Sequence, residues 1–219
     1  MDDWERLFGR VDASPTVAET SERLAAVRSE TRTDDETTPP TDASDDGGDG
    51  SGGGDGDGGE TDGRVEPSPA RVVVDADVLA ADLLGDEDAR AALDELRRHS
   101  WTTLVASDAL VADAAAVIAS LTDESLATAW RDRVEAWREP VTHPAGDHPA
   151  LASAYRGGAM HVLSFDDSLT GAGAGLGLAD HFRVSVREPR AFATLFDPAS
   201  LYAEVVGGEY PGPDTDPRG

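Results

Sequence analysis

From residue 70 onward two hydrophobic patterns alternate: short continuous apolar runs, and longer stretches in which apolar residues recur every three or four positions. Val72, Val73 and Val74 form the first run. Continuous and β-branched, it predicts a strand buried on both faces, as in a parallel sheet. Val78, Leu79, Leu83 and Leu84 follow with helical spacing, so the chain passes from strand to helix at Asp75 and Asp77. The pattern then predicts helices near 77–84 and 86–99 and a second strand over 101–106. Ser107 caps a helix running to about Leu121. Trp130, Val134 and Trp137, at i, i+4 and i+7, mark a helix over 124–138. A loop with two prolines reaches a helix over 148–156, and a third strand over 160–165 ends in Asp166-Asp167. A Gly-rich loop, a fourth strand over 182–186 and helices over 189–196 and 199–206 complete the pattern. Strands alternating with helices imply βαβ units, a parallel sheet and right-handed crossovers, so residues 70–206 are expected to form one compact α/β domain.

The flanking regions read differently. Over 1–32 there are two short amphipathic patterns. Trp4, Leu7, Phe8 and Val11 share one helical face, and Val17, Leu24 and Val27 mark a second after Ser14-Pro15. Neither is long enough to be stable alone in water. Residues 33–69 contain ten Gly, twelve Asp or Glu, one Arg and one large aliphatic residue, Val65. That composition predicts a disordered, self-repelling linker. Tethered in this way, residues 1–32 are expected to act as a docking element. A protein partner is favoured over self-docking, because docking at home does not require so long and repulsive a tether. The tail, 207–219, is expected to fray.

Charge narrows the range of functions. The net charge is −26, from 18 Lys+Arg against 44 Asp+Glu, and every cation is Arg. Such a surface repels a polyanion and argues against passive nucleic-acid binding. It resembles the acidic surfaces of cytosolic proteins from extreme halophiles, where concentrated salt shortens the screening length to a few ångströms. The absence of Cys excludes disulfides and thiolate metal sites and fits a reducing cytoplasm. No apolar run approaches the roughly 18 residues of a membrane span.

Candidate chemistry lies in the carboxylates. Asp75, Asp77, Asp166 and Asp167 all stand just past a predicted buried strand, and in a parallel sheet those strand ends share one edge. If the two strands are neighbours, four carboxylates converge. Asp113 lies three residues after Leu110 and four before Val117, at the border of the stripe that faces the core. Asp147 precedes His148-Pro149 at a helix start. Without a nearby cation these groups would be driven to protonate in part, whereas Mg²⁺ or Mn²⁺ would hold them ionised, so a divalent oxygen-ligand site is the economical explanation. As simple caps, Asp75, Asp77 and Asp147 need no metal at all.

The order of these motifs resembles the PIN-domain family of metal-dependent ribonucleases. The match runs through Asp75-Ala76-Asp77-Val78-Leu79, Asp113 on the helix after the second strand, Asp147 with Ala150, Leu151, Ala152 and Ala154 behind it, and Ser164-Phe165-Asp166. It covers residues 71–196. The resemblance implies a three-layer α/β/α domain that hydrolyses RNA. Asp75, Asp113, Asp147 and Asp166 would be catalytic and hold Mg²⁺ or Mn²⁺, and Asp77 and Asp167 would add to the metal site. Asp113 is one methylene shorter than the family's usual Glu, and Asp77 replaces its usual Asn. A catalytically silent PIN-like binding module is the alternative from another class. The same acids also resemble haloacid-dehalogenase-like phosphatases, with Asp75 as nucleophile, but those enzymes use a Lys that this chain lacks.

Other motifs are weaker. The glycines of 171–177 miss the i, i+2, i+5 register of a dinucleotide loop. His143 and His148 read as ordinary loop histidines, since Pro144 and Pro149 break any helix that would align them with Asp147. Arg156 could meet a phosphate, although it reads more simply as a surface ion-pairing group.

Overall fold

The computed structural model describes residues 3–12, 14–36, 65–170 and 184–219. Most of the expected linker and the glycine run of 171–177 lie outside them. Helices α1 (Trp4–Phe8) and α2 (Val17–Glu36) precede β1 (Ser68–Val74), α3 (Ala76–Leu84) and α4 (Glu87–Arg97). Then come β2 (Thr103–Ser107), α5 (Asp108–Leu121), α6 (Glu124–Glu135), β3 (Glu139–Val141) and α7 (Pro149–Gly157). The order closes with β4 (Ala159–Leu163), α8 (Asp167–Thr170), β5 (Ser185–Arg187), α9 (Pro189–Leu195) and α10 (Pro198–Val205).

The sheet is parallel throughout, in the order β3-β2-β1-β4-β5, and flanked by helices. The expected α/β architecture is therefore present. The valine run supplies the central strand, with Val72, Val73 and Val74 no more than 1% exposed. At roughly 1.5–3 kcal/mol per fully buried aliphatic side chain, this strand and the leucines of α3 anchor the core. Helix α7 packs on β1, β2 and β4, whereas α3 packs against α4 and α5. The fifth strand, β3, differs from the sequence reading. It has only three residues and Pro140 in the middle, which reads as loop, yet at a sheet edge the missing N–H is tolerated.

Both flanks of the domain depart from expectation. Ordered chain begins before residue 70: the Val65 N–H donates to the Arg156 carbonyl at 3.0 Å and that of Ser68 to the Gly158 carbonyl at 2.9 Å. Gly158 closes α7 at φ +64°, and a Cβ there would stand 2.6 Å from the Glu66 carbonyl oxygen, so this turn requires glycine. The N-terminal helices dock on the chain's own domain, contrary to the preference for a partner. Trp4 and Leu7 are buried, and the Trp4 ring meets Trp137 edge-on at 5.7 Å between centroids. Helix α2 opens at Thr16 rather than Ser14, through reciprocal bonds between Thr16 and Glu19, and buries Thr20, Leu24 and Val27 as it packs on α3 and α5. The tail is also tied down. Asp214 accepts bonds from Ser100, Tyr210 meets His99, and Arg218 pairs with Asp94 at 2.5 Å.

Candidate functional site

Strand order changes direction between β1 and β4, and the crevice at the carboxyl ends of such a pair is where open α/β sheets bind ligands. The two strands are hydrogen-bonded neighbours, with Val74 opposite Leu163, so their terminal acids do share one edge. Asp75 is fully buried. Its Oδ1 accepts from the Ala76 N–H at 2.8 Å, which caps α3, and its Oδ2 accepts from the Ser164 hydroxyl at 3.1 Å. The same Ser164 oxygen accepts from the Asp166 N–H at 3.1 Å, which fixes where Asp166 leaves β4.

Asp77 is buried in the first turn of α3, at the same strand-to-helix junction. One carboxylate oxygen accepts from the Val78 N–H at 2.7 Å, the other from the Phe165 N–H at 3.1 Å, so it ties α3 to the loop that bears Asp166. Burial, and next the charge of Asp75, push its carboxyl up to about 7, against the pull of the two backbone bonds and of Arg28.

The cation among these acids is Arg28, from α2. Its Nη2 donates to Asp75 Oδ1 at 2.8 Å and its Nε donates to Asp113 Oδ2 at 2.9 Å. Its side chain is 17% exposed and that of Asp113 13%. Burial works against the guanidinium charge, but Asp75 and Asp113 outweigh it and hold Arg28 above its ordinary value. These carboxylates therefore have a nearby arginine, the cation whose absence from the sequence pattern pointed to a metal.

His148 lies beside Arg28. It sits at the start of α7 with Nε2 3.4 Å from Arg28 Nη1, and it feels the charges of Asp75, Asp166 and Asp113. Burial, above all, lowers its pKa, and its Nδ1 is buried without a hydrogen-bond partner among the described residues. Asp166 is half-buried. Burial opposes its ionisation, but bonds from Ser168 and the charges of His148 and Arg28 hold it below the usual carboxylate range.

Of the six acids singled out in the sequence, the structure brings together Asp75, Asp77, Asp113 and Asp166. Asp147 and Asp167 are exposed. Asp147 points its neighbour, not itself, into the crevice, because Pro149 starts the helix and His148 takes the capping position. Asp167 opens α8 on the outer side of the loop. Arg28 and His148 were missed. Arg28 follows Leu24 by four residues and Val27 by one, at the border of an apolar stripe, which is the criterion that singled out Asp113.

The carboxylate oxygens suit a hard divalent cation: Asp113 and Asp166 are half-buried and Asp75 is buried behind them. Their arrangement does not suit one as it stands. No group of three or more His, Cys, Asp or Glu side chains among the described residues is placed to hold a metal ion. No helix among the described residues is long and apolar enough to cross a membrane.

The domain that frames this crevice is one already grouped by sequence. Residues 66–218 match a family described as of unknown function, DUF7384, and the chain belongs to that family. No curated protein and no solved structure matches the chain. The match begins beyond α2, so Arg28 comes from outside the family domain while its partners Asp75 and Asp113 lie within it.

Proposed function

We propose that this protein is a PIN-like, divalent-metal-dependent ribonuclease acting in a salt-rich cytoplasm. The observation behind this reading is that Asp75, Asp113 and Asp166 gather around one crevice at the β1/β4 switch point with a cation already seated between two of them. Asp75, Asp113 and Asp166 would hold Mg²⁺ or Mn²⁺. The bound ion would supply Lewis acidity to the phosphodiester and make water a better nucleophile. Ser164 orients Asp75 and sets the exit of Asp166 from its strand. Asp77 positions the Phe165 backbone rather than reaching the ion. His148, with its pKa lowered chiefly by burial, stands beside these acids as the candidate proton acceptor.

A second reading has its own observation. Arg28 already balances Asp75 and Asp113, so the same crevice could be the stable centre of a silent PIN-like binding module. Incubating mixed RNA with Mn²⁺ or Mg²⁺ in molar KCl separates the two, using the natural chain, Arg28→Gln and Asp75→Asn. Asn still caps a helix, so Asp75→Asn removes charge and leaves the cap. Metal-dependent cleavage by the natural chain or Arg28→Gln, lost in Asp75→Asn, supports the ribonuclease. No cleavage by either leaves the binding module.

A further inference from the structure

We propose that α2 uses Arg28 as a built-in occupant of the cation position, so that the N-terminal segment keeps divalent ions out until α2 withdraws. The inference rests on the metal-dependent reading of the crevice. A divalent ion shared by Asp75 and Asp113 would sit about 2.0–2.2 Å from their oxygens, in the space the guanidinium nitrogens now take at 2.8 and 2.9 Å. Ion and side chain therefore exclude each other. This also explains why acids of suitable chemistry are not arranged to hold a metal among the described residues: Asp75 and Asp113 are spaced to suit a fork-shaped organic cation.

Two further observations separate occupant from scaffold. The family domain spans 66–218 and contains both carboxylates, whereas Arg28 arrives on a helix outside it. That helix has 20 residues and, between Val17 and Thr31, buries only Thr20, Leu24 and Val27. Apolar contact of that extent is a modest hold, of the size at which a helix can leave without unfolding what it covers. The two ion pairs link α2 directly to the crevice, and a competing cation acts on that link. When the competent state is only a fraction of the population, apparent affinity for the ion falls by that fraction.

The test measures Mn²⁺ binding by titration calorimetry on the full chain, at fixed ionic strength in molar KCl. Three chains are compared: the natural one, Arg28→Gln, and Val27→Asp, which undermines the docking of α2 and leaves Arg28 intact. Both variants are expected to bind Mn²⁺ at least about tenfold more tightly than the natural chain. In the natural chain, saturating Mn²⁺ is expected to speed hydrogen exchange along α2 while β1 and β4 stay protected. Equal Mn²⁺ affinity in all three chains overturns the proposal, as does weaker binding by Arg28→Gln, since a purely structural counter-ion predicts that loss. Should Arg28→Gln fail to fold, Val27→Asp and the exchange measurement decide. Tight Mn²⁺ binding by Arg28→Gln without RNA cleavage keeps the occupant and removes the ribonuclease. Metal-dependent cleavage by the natural chain at the rate of Arg28→Gln keeps the ribonuclease and removes the occupant.

Discussion

Arg97 on α4 and Asp82 on α3 form an ion pair whose side chains are 2% and 0% exposed, beneath the indole of Trp4, which stands 4.0 Å from the Arg97 guanidinium carbon. Removing Asp82 leaves the buried Arg97 with only Asp94, at 3.4 Å, as a counter-charge. Asp82→Ala is expected to destabilise the fold by about 3–5 kcal/mol in denaturant titrations. Because salt cannot enter between buried partners, the loss should be the same in 0.5 M and 3 M KCl. A loss that shrinks with salt would place this pair at the surface.

The roof over that pair gives a second expectation. Trp4 is 3% exposed and contacts Arg97, Phe8 and Trp137. Trp4→Ala should cost about 3–5 kcal/mol. A cost within 0.5 kcal/mol, the range of ordinary surface substitutions, would mean that α1 does not pack on the domain in solution.

Asp77 predicts a pH dependence. In the unfolded chain its carboxyl ionises near its ordinary 3.8, whereas in the folded chain it keeps its proton to about 7. Folding therefore takes up a proton between these values. The contribution is fully present below the lower value, falls by roughly 1.4 kcal/mol per pH unit as pH rises, and is lost above the upper one. Asp77→Asn should remove that slope from stability measured between pH 4 and 7. An unchanged slope would assign it to another group.

Metal should stabilise the crevice once Arg28 is gone. In Arg28→Gln, Mn²⁺ at about 100 times its dissociation constant should add roughly 2.7 kcal/mol, read as a rise in Tm with KCl balancing ionic strength. The natural chain should gain less, and Arg28→Gln combined with Asp75→Asn nothing. An equal rise in the double variant would show that Mn²⁺ binds elsewhere.

The sequence made the sheet and half of the crevice visible for a simple reason. Val72–Val74 and the apolar helix after them have one stable placement, the middle of a parallel sheet, and that placement puts Asp75 and Asp166 on one edge. Asp113 was legible because an acid at the border of an apolar stripe needs a partner. The partner was not found, because Arg28 is 85 residues away, in a segment too short to fold alone and on a tether longer and more repulsive than docking at home requires. Burial of Trp4, Leu7, Leu24 and Val27 outweighs chain length and repulsion. Asp147 was misplaced by one residue. A proline fixes where a helix begins but not which of the two residues before it turns inward, and here it is His148.

That every cation of this chain is Arg acquires a consequence at position 28. A guanidinium has no neutral form within reach of ordinary conditions, and Asp75 and Asp113 raise Arg28 further. A lysine between the same carboxylates could shed its proton and slip away in alkali. Arg28 cannot, so making the solution more basic leaves its hold unchanged. What frees the crevice must bring positive charge of its own, protonate the acids, or draw the helix off mechanically. The contact thus responds to ions, to strong acid and to force, and is deaf to alkali.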